Sequence, residues 1–201
     1  MKRHHYLFSA MLLVLAACSN KDKGIAPNYK VDENASVITW KGSAPTHFHK
    51  GSFKVSGSLL TNGDDRVTGG DFTIPIASID NEDLSGGQKL QLLNHLKSDT
   101  FFNVPMYPEA KFHVTKVEDF KEASVPGINA KITGDFTMIG QTHPLSFPAS
   151  IQVTKDKISA TGSFKLPRLD WGMNAYSDPA GPLYILPEIE ISIDIKGTPA
   201  K

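Results

Sequence analysis

Ile189, Ile191, Ile193 and Ile195 alternate without a fault with Glu190, Ser192, Asp194 and Lys196, as a strand with one wet face must. The same period of two runs through residues 128–138, 145–153 and 158–166. Shorter faces are set by Val37 to Trp40, by Phe53, Val55, Gly57 and Leu59, by Phe72, Ile74 and Ile76, and by Phe112 and Val114. Together they predict about eight antiparallel strands, the pattern of an all-β barrel or sandwich. One stretch breaks the period. Ser85-Gly-Gly-Gln88 has the spacing of a capping box, and Leu90, Leu93 and Leu96 then recur at helical spacing, with Leu92 widening the stripe. This predicts one helical insertion between the third and fourth strands, ending by Ser98. Its leucine face must cover either the open end of a barrel or the outside of the sheet.

Four strands carry Gly-x-Phe: Gly51-Ser-Phe53, Gly70-Asp-Phe72, Gly134-Asp-Phe136 and Gly162-Ser-Phe164. A spacing of two puts glycine and ring on one face. The glycine lets the strand bend, and an inward ring fills the gap. Inward glycines at 57, 134 and 162 are also where room for a ligand would arise.

The N-terminus adds an address. Lys2 and Arg3 precede an apolar run over 6–17, and small residues lead into Cys18, the single cysteine. Basic, apolar and small in that order predict a secretory signal peptide; the run is shorter than the ~20 apolar residues a spanning helix needs. Leu15-Ala16-Ala17-Cys18 resembles a bacterial lipobox, which implies a signal peptide over 1–17, a diacylglyceryl group on the Cys18 sulfur and an acylated (palmitate-type) N-terminus. Residues 18–28 then read as a polar tether and 29–201 as one domain.

Composition narrows the function classes. The 201 residues are 40% hydrophobic and 21% charged, with a formal net charge of +0, and no Lys/Arg cluster argues for nucleic acid. There is no Gly-x-Ser-x-Gly elbow, His-Glu-x-x-His, phosphate loop or dinucleotide fingerprint, so the expectation is a protein that is not an enzyme and needs no cofactor. His47 and His49 have chelating spacing but no identifiable third ligand. No metal is expected.

The motif order from Tyr29 to Ile195 resembles the YceI-like family of exported lipid-binding proteins. It is carried by Val37-Ile-Thr-Trp40-Lys-Gly42, His49-Lys-Gly51, Gly69-Gly70-Asp-Phe72-Thr-Ile74 with Ser78-Ile79, His95-Leu-Lys-Ser98-Asp99, Phe101-Phe102, and Tyr107-Pro108-Glu-Ala-Lys-Phe112. Gly134-Asp-Phe-Thr-Met-Ile-Gly140, Pro144-Leu-Ser-Phe147-Pro-Ala149 and Arg168-Leu-Asp-Trp171-Gly172 complete it. The resemblance implies an eight-stranded lipocalin-like antiparallel barrel holding a polyisoprenoid or similar long-chain lipid. Strand parity then nominates Phe53, Phe72, Phe112, Phe136, Phe147, Phe164 and Trp171 as ligand-lining.

His49 is expected to meet a headgroup or make a structural bond. Arg168 would meet an anion at the mouth, or join a salt bridge that fixes the loop after it, with Asp170 on the same face. His95 should pin helix to barrel, whereas His47, His113 and His143 are expected in solvent. The proline-rich run 173–184 departs from the family pattern and is a candidate gate, as part of a loop reaching 187. The expected setting is the bacterial envelope, lipid-anchored at the outer membrane and facing the periplasm; a homodimer is left open. The rival reading is a structural or partner-binding module with a filled barrel.

Overall fold

Among the described residues eleven strands form one antiparallel sheet: β1 (Asn28–Val31), β2 (Val37–Ser43), β3 (Phe48–Phe53), β4 (Ser56–Thr61), β5 (Val67–Pro75), β6 (Asp80–Asn81), β7 (Glu109–Asp119), β8 (Ala130–Met138), β9 (Gln141–Thr154), β10 (Lys157–Pro167) and β11 (Glu188–Pro199). A helix, α1 (Gly86–Lys97), lies between β6 and β7. The structure, a computed structural model, describes residues 28–62, 65–120 and 126–200. The expected signal peptide, Cys18 and nearly all of the tether lie outside the described residues.

The sheet closes because two staves are each made of two strands. β1 and β2 both pair with β11, β1 at residues 197–199 and β2 at 190–194. β3 pairs with β2 and β6, whereas β4 pairs with β1 and β5. The ring therefore runs β1/β2, β3/β4, β5, β7, β8, β9, β10, β11 and back, a closed barrel of eight staves. The break at Lys54-Val55 left the hydrophobic alternation intact, since Phe53, Val55 and Leu59 are all buried. At the break, Lys54 N–H leaves the ladder for Ser78 Oγ at 3.0 Å.

Two expectations need correction. The helix follows the sixth strand, not the third, because the first two staves are divided and β6 adds a two-residue strand. The capping box does not form: Ser85 sits at the N-cap in extended conformation with no side-chain bond to the helix. Gly86 instead opens the helix at φ +56°. The far end behaves as the sequence indicates, with Ser98 as C-cap and its hydroxyl on His95 O at 2.7 Å. Leu93 and Leu96 pack on the core while Leu90 faces solvent.

The barrel has distinct ends. At one lie the β2–β3 connection, α1, the β8–β9 turn and the segment 168–187; at the other, the start of β1 and the turns 32–36 and 154–157. The β8–β9 turn is a two-residue hairpin with Ile139 at φ +52° and Gly140 at φ +72°, the doubly left-handed form that matches strand twist. β1 had escaped the pattern because it offers only two apolar side chains, yet Tyr29 is fully buried and donates its hydroxyl to Thr154 O at 2.9 Å.

Candidate functional site: an apolar tunnel with a polar rim

The inward faces of the staves do not meet. They enclose a cavity of about 620 Å³, reaching from a mouth among Ser43–His47, α1 and Pro179–Ile185 down to Val67, Val117 and Ile195 near the opposite end. This is within the ~300–1,000 Å³ usual for ligand sites. Period-two alternation makes the wall apolar, since each stave turns its Ile, Val, Leu and Phe inward and its Lys, Thr, Ser and Asp outward.

Phe53, Phe72, Phe112, Phe136, Phe147 and Phe164 all line the cavity. Phe147 stacks on Phe164 with centroids 4.5 Å apart and meets Phe112 at 5.8 Å, so three rings form a continuous panel. Trp171 must be corrected. It is buried in the wall, off the cavity, its Nε1–H donating to Phe136 O at 3.0 Å and its ring edge-on to Phe136 and His143. A 3-10 turn at Arg168–Trp171 carries it away from the strand parity that nominates it.

The inward glycines also act differently from expectation. A Cβ on Gly134 would lie 2.4 Å from His113 O and 2.6 Å from the Phe112 ring; on Gly57 it would lie 2.1 Å from Asp71 O. At Gly162 it would lie 2.8 Å from Pro148 O. These sites hold no spare space. They let neighbouring backbone and rings close in on the wall.

The mouth is where polar side chains gather. His49 Nδ1 lies 2.7 Å from Asp83 Oδ2, and Asp83 Oδ1 accepts from Lys50 N–H at 2.7 Å and from Asn81 Nδ2 at 2.8 Å. Burial pushes the Asp83 carboxyl up, but these hydrogen bonds outweigh it and hold it below the ordinary carboxylate range. A carboxylate on Nδ1 fixes the ring so that Nε2 is the nitrogen left to face a ligand. His47 is exposed, its ring 5.6 Å from that of His49. His95 does tie the helix down: its ring meets Phe101 at 5.1 Å, and Nε2 lies 3.5 Å from the Tyr176 hydroxyl.

Two other histidines are less free than expected. His113, though exposed, reaches Asp71 at 2.6 Å. His143 is half-buried against the Trp171 ring, 5.3 Å between centroids. Among the described residues no group of His, Cys, Asp or Glu is arranged to hold a metal ion.

Arg168 is 1% exposed and makes no salt bridge among the described residues. Its Nε–H donates to Leu186 O at 3.1 Å, Nη1 to Met173 O and to Ala175 O at 3.0 Å, and Nη2 to Ile185 O at 2.9 Å and Tyr176 O at 3.5 Å. All five guanidinium donors are thereby committed to carbonyls of one loop. Arg168 touches the cavity, but it holds the proline-rich segment to the rim with backbone bonds rather than with a carboxylate. Burial pushes its pKa down, opposed by Tyr184; an arginine so placed stays charged.

Several lining residues were missed by choosing rings on strand parity. Trp40, Phe102 and Tyr176 face the cavity, as do Ile189, Ile191 and Ile193. The isoleucines were legible as the inward face of β11, and Trp40 shares parity with Ile38.

The closed barrel, its apolar tunnel and its motif order agree with a known family model. Residues 29–197 match the YceI-like domain. The chain belongs to the YceI-like family. A UPF0312 protein of Pseudomonas putida (strain GB-1) is 30% identical over 153 residues, 71% of each chain. Among solved structures, the YceI protein of Campylobacter jejuni is 25% identical with a TM-score of 0.58, covering 73% of this chain and 81% of its own. Two structures of lower identity superpose more fully. BcnA of Burkholderia cenocepacia gives a TM-score of 0.67 at 18% identity, covering 84% and 99%. A polyisoprenoid binding domain from Saccharophagus degradans, implicated in plant cell wall breakdown, gives 0.64 at 16%, covering 86% and 98%.

Proposed function

We propose that this YceI-like protein is a membrane-anchored envelope lipoprotein that holds a polyisoprenoid or similar long-chain amphiphile inside its barrel, for carriage, storage or sequestration. The observation that carries this reading is the tunnel: about 620 Å³ of apolar, continuous space open at one end. Each ligand methylene buried there contributes about 0.8 kcal/mol, so a long chain needs few polar contacts. The polar atoms at the rim, His49 foremost, suit the head of an amphiphile. The fold likeness to a polyisoprenoid binding domain supports the same ligand class. A filled barrel serving only as a structural or partner-binding scaffold accords poorly with so large an opening.

The test is native mass spectrometry of protein extracted gently from its own membrane. A bound lipid of discrete mass is expected; consistently empty protein that also fails to take up polyprenol would overturn the reading. The anchor is a separate proposal. Cys18→Ser should release the chain from the membrane fraction or leave it as an uncleaved precursor, with the barrel unchanged. Fractionation that finds Cys18→Ser protein processed and membrane-bound like the parent would refute it. The same fractionation tests the outer membrane as its site.

A further inference from the structure

Among the described residues six large hydrophobic side chains are exposed, and they are not scattered: Phe48, Leu90, Met106, Leu183 and Leu186 lie at the mouth end, and Leu60 alone at the other. Single exposed apolar residues are ordinary, but a cluster marks an interaction surface. These five come from four separate segments: the start of β3, the outer face of α1, the loop before β7 and the proline-rich loop. They ring an opening instead of lining a groove. Leu183 is itself part of the cavity wall, so the exposed ring and the apolar tunnel are one continuous surface.

We propose that the mouth end docks on a lipid bilayer, seating this ring among the acyl chains so that a lipid passes between membrane and tunnel without crossing water. The inference rests on the lipid-holding reading of the cavity. Three observations commit it to a bilayer. The ring opens directly into the tunnel, which a second copy or a protein partner would plug. Three lysines at this end are already paired, Lys41 with Glu190 at 2.9 Å, Lys89 with Asp80 at 2.7 Å and Lys165 with Glu188 at 2.7 Å, so apolar contact supplies more of the attraction than charge does. And β1 enters at the opposite end, where Asn28 O accepts from Ala200 N–H at 2.7 Å, leaving the mouth unobstructed by the chain's entry. Apolar side chains seated at the headgroup boundary, with Tyr and Lys beside them, are how monotopic surfaces bind.

The test compares the full, processed chain with its Phe48→Ser/Leu90→Ser/Met106→Ser variant, both on vesicles of phosphatidylethanolamine and phosphatidylglycerol. None of the three side chains lines the tunnel, and all are exposed, so melting temperature should not change. Amide exchange in the unmutated segments 43–46 and 181–187 should be at least about tenfold faster in the variant, while the turns 32–36 and 154–157 exchange alike. Uptake of a fluorescent polyprenol from the vesicles should slow by a similar factor. The amount bound after direct loading by dilution from ethanol should be equal. Equal exchange at the mouth in parent and variant, or protection there that grows with protein concentration in the absence of vesicles, overturns docking. A parent that takes up no polyprenol by either route overturns the lipid-holding reading instead, and the exchange comparison still decides docking.

Discussion

Replacing Arg168 with methionine tests what holds the proline-rich loop against the mouth. Five carbonyls accept from the guanidinium, and Tyr176 O alone among them also accepts another amide, that of Ile185 at 2.8 Å. The substitution fills similar volume but leaves four carbonyls (five less Tyr176 O) without that donor, one on buried Met173 and three on half-buried or exposed residues. At about 1 kcal/mol or more for each unsatisfied acceptor, and a gain from no longer burying an unpaired cation, the net loss should be about 3 kcal/mol. That is a large part of the ~5–15 kcal/mol of an ordinary domain. The chain has an escape, however. If the loop 173–187 opens locally, its carbonyls reach water and the barrel keeps most of its stability. The two routes differ in one readout, the amides of Ile185 and Leu186, bonded to Tyr176 O and Ser43 O. Urea unfolding together with amide exchange should therefore show either a global loss of about 3 kcal/mol, or a smaller one with protection at 185 and 186 collapsed. Arg168→Lys, with three donors, should fall between. Unfolding within about 1 kcal/mol of the parent, with both amides fully protected, would refute the assignment.

Asp83 sets an acid limit on the rim. Its folded pKa is depressed, so its contribution is present above the unfolded value of about 3.9 and is lost as pH falls through the folded value; Asp83→Asn should flatten that part of the stability–pH curve, measured by urea midpoints from neutral to acid pH. Gly134→Ala should destabilise by about 1–3 kcal/mol, because its methyl meets His113 O and the Phe112 ring, whereas Gly87→Ala, with nothing within 4 Å, should stabilise slightly; thermal melts of the pair decide it. Among the described residues the Trp40 indole N–H is buried without a partner, so Trp40→Phe should leave stability unchanged or raise it, and a loss above about 1 kcal/mol would show that the indole has a bond to lose.

Most of the barrel was legible because one-sided burial imposes a period of two. β8, β9, β10 and β11 are legible nearly to their ends, whereas closure into a barrel of eight staves rather than a sandwich comes only with the family resemblance. What escaped had no periodic signal. β1 has two buried side chains in four residues, and the division of β3 from β4 changes neighbours without changing which way side chains point. The helix was found from its leucine spacing, but its N-terminal box was over-read: a favourable Ser-x-x-Gln spacing cannot compete once Gly86 takes a left-handed turn. At the site, parity located every lining phenylalanine on a strand and failed at Trp171, just where the strand gives way to a 3-10 turn. Arg168 shows a different limit. Its role is set by carbonyls from residues 173–186, and backbone acceptors leave no mark in a sequence.

The glycines and phenylalanines together explain why the lumen is open. A barrel of eight staves is narrow enough for side chains to fill, and rings standing straight inward would close it. Here the ring of Phe112 lies 2.6 Å from where a Cβ of Gly134 would be, that of Phe72 at 3.3 Å from the same point on Gly70, and that of Phe147 at 3.5 Å from Gly162. Each missing methyl group lets a ring on the same or a neighbouring strand fold down against the wall. The cavity's volume thus comes from rings displaced sideways, and the glycines supply it without being part of it. An alanine at position 134 would turn the Phe112 ring back toward the axis. Its effect on lipid capacity should therefore exceed what one methyl group displaces.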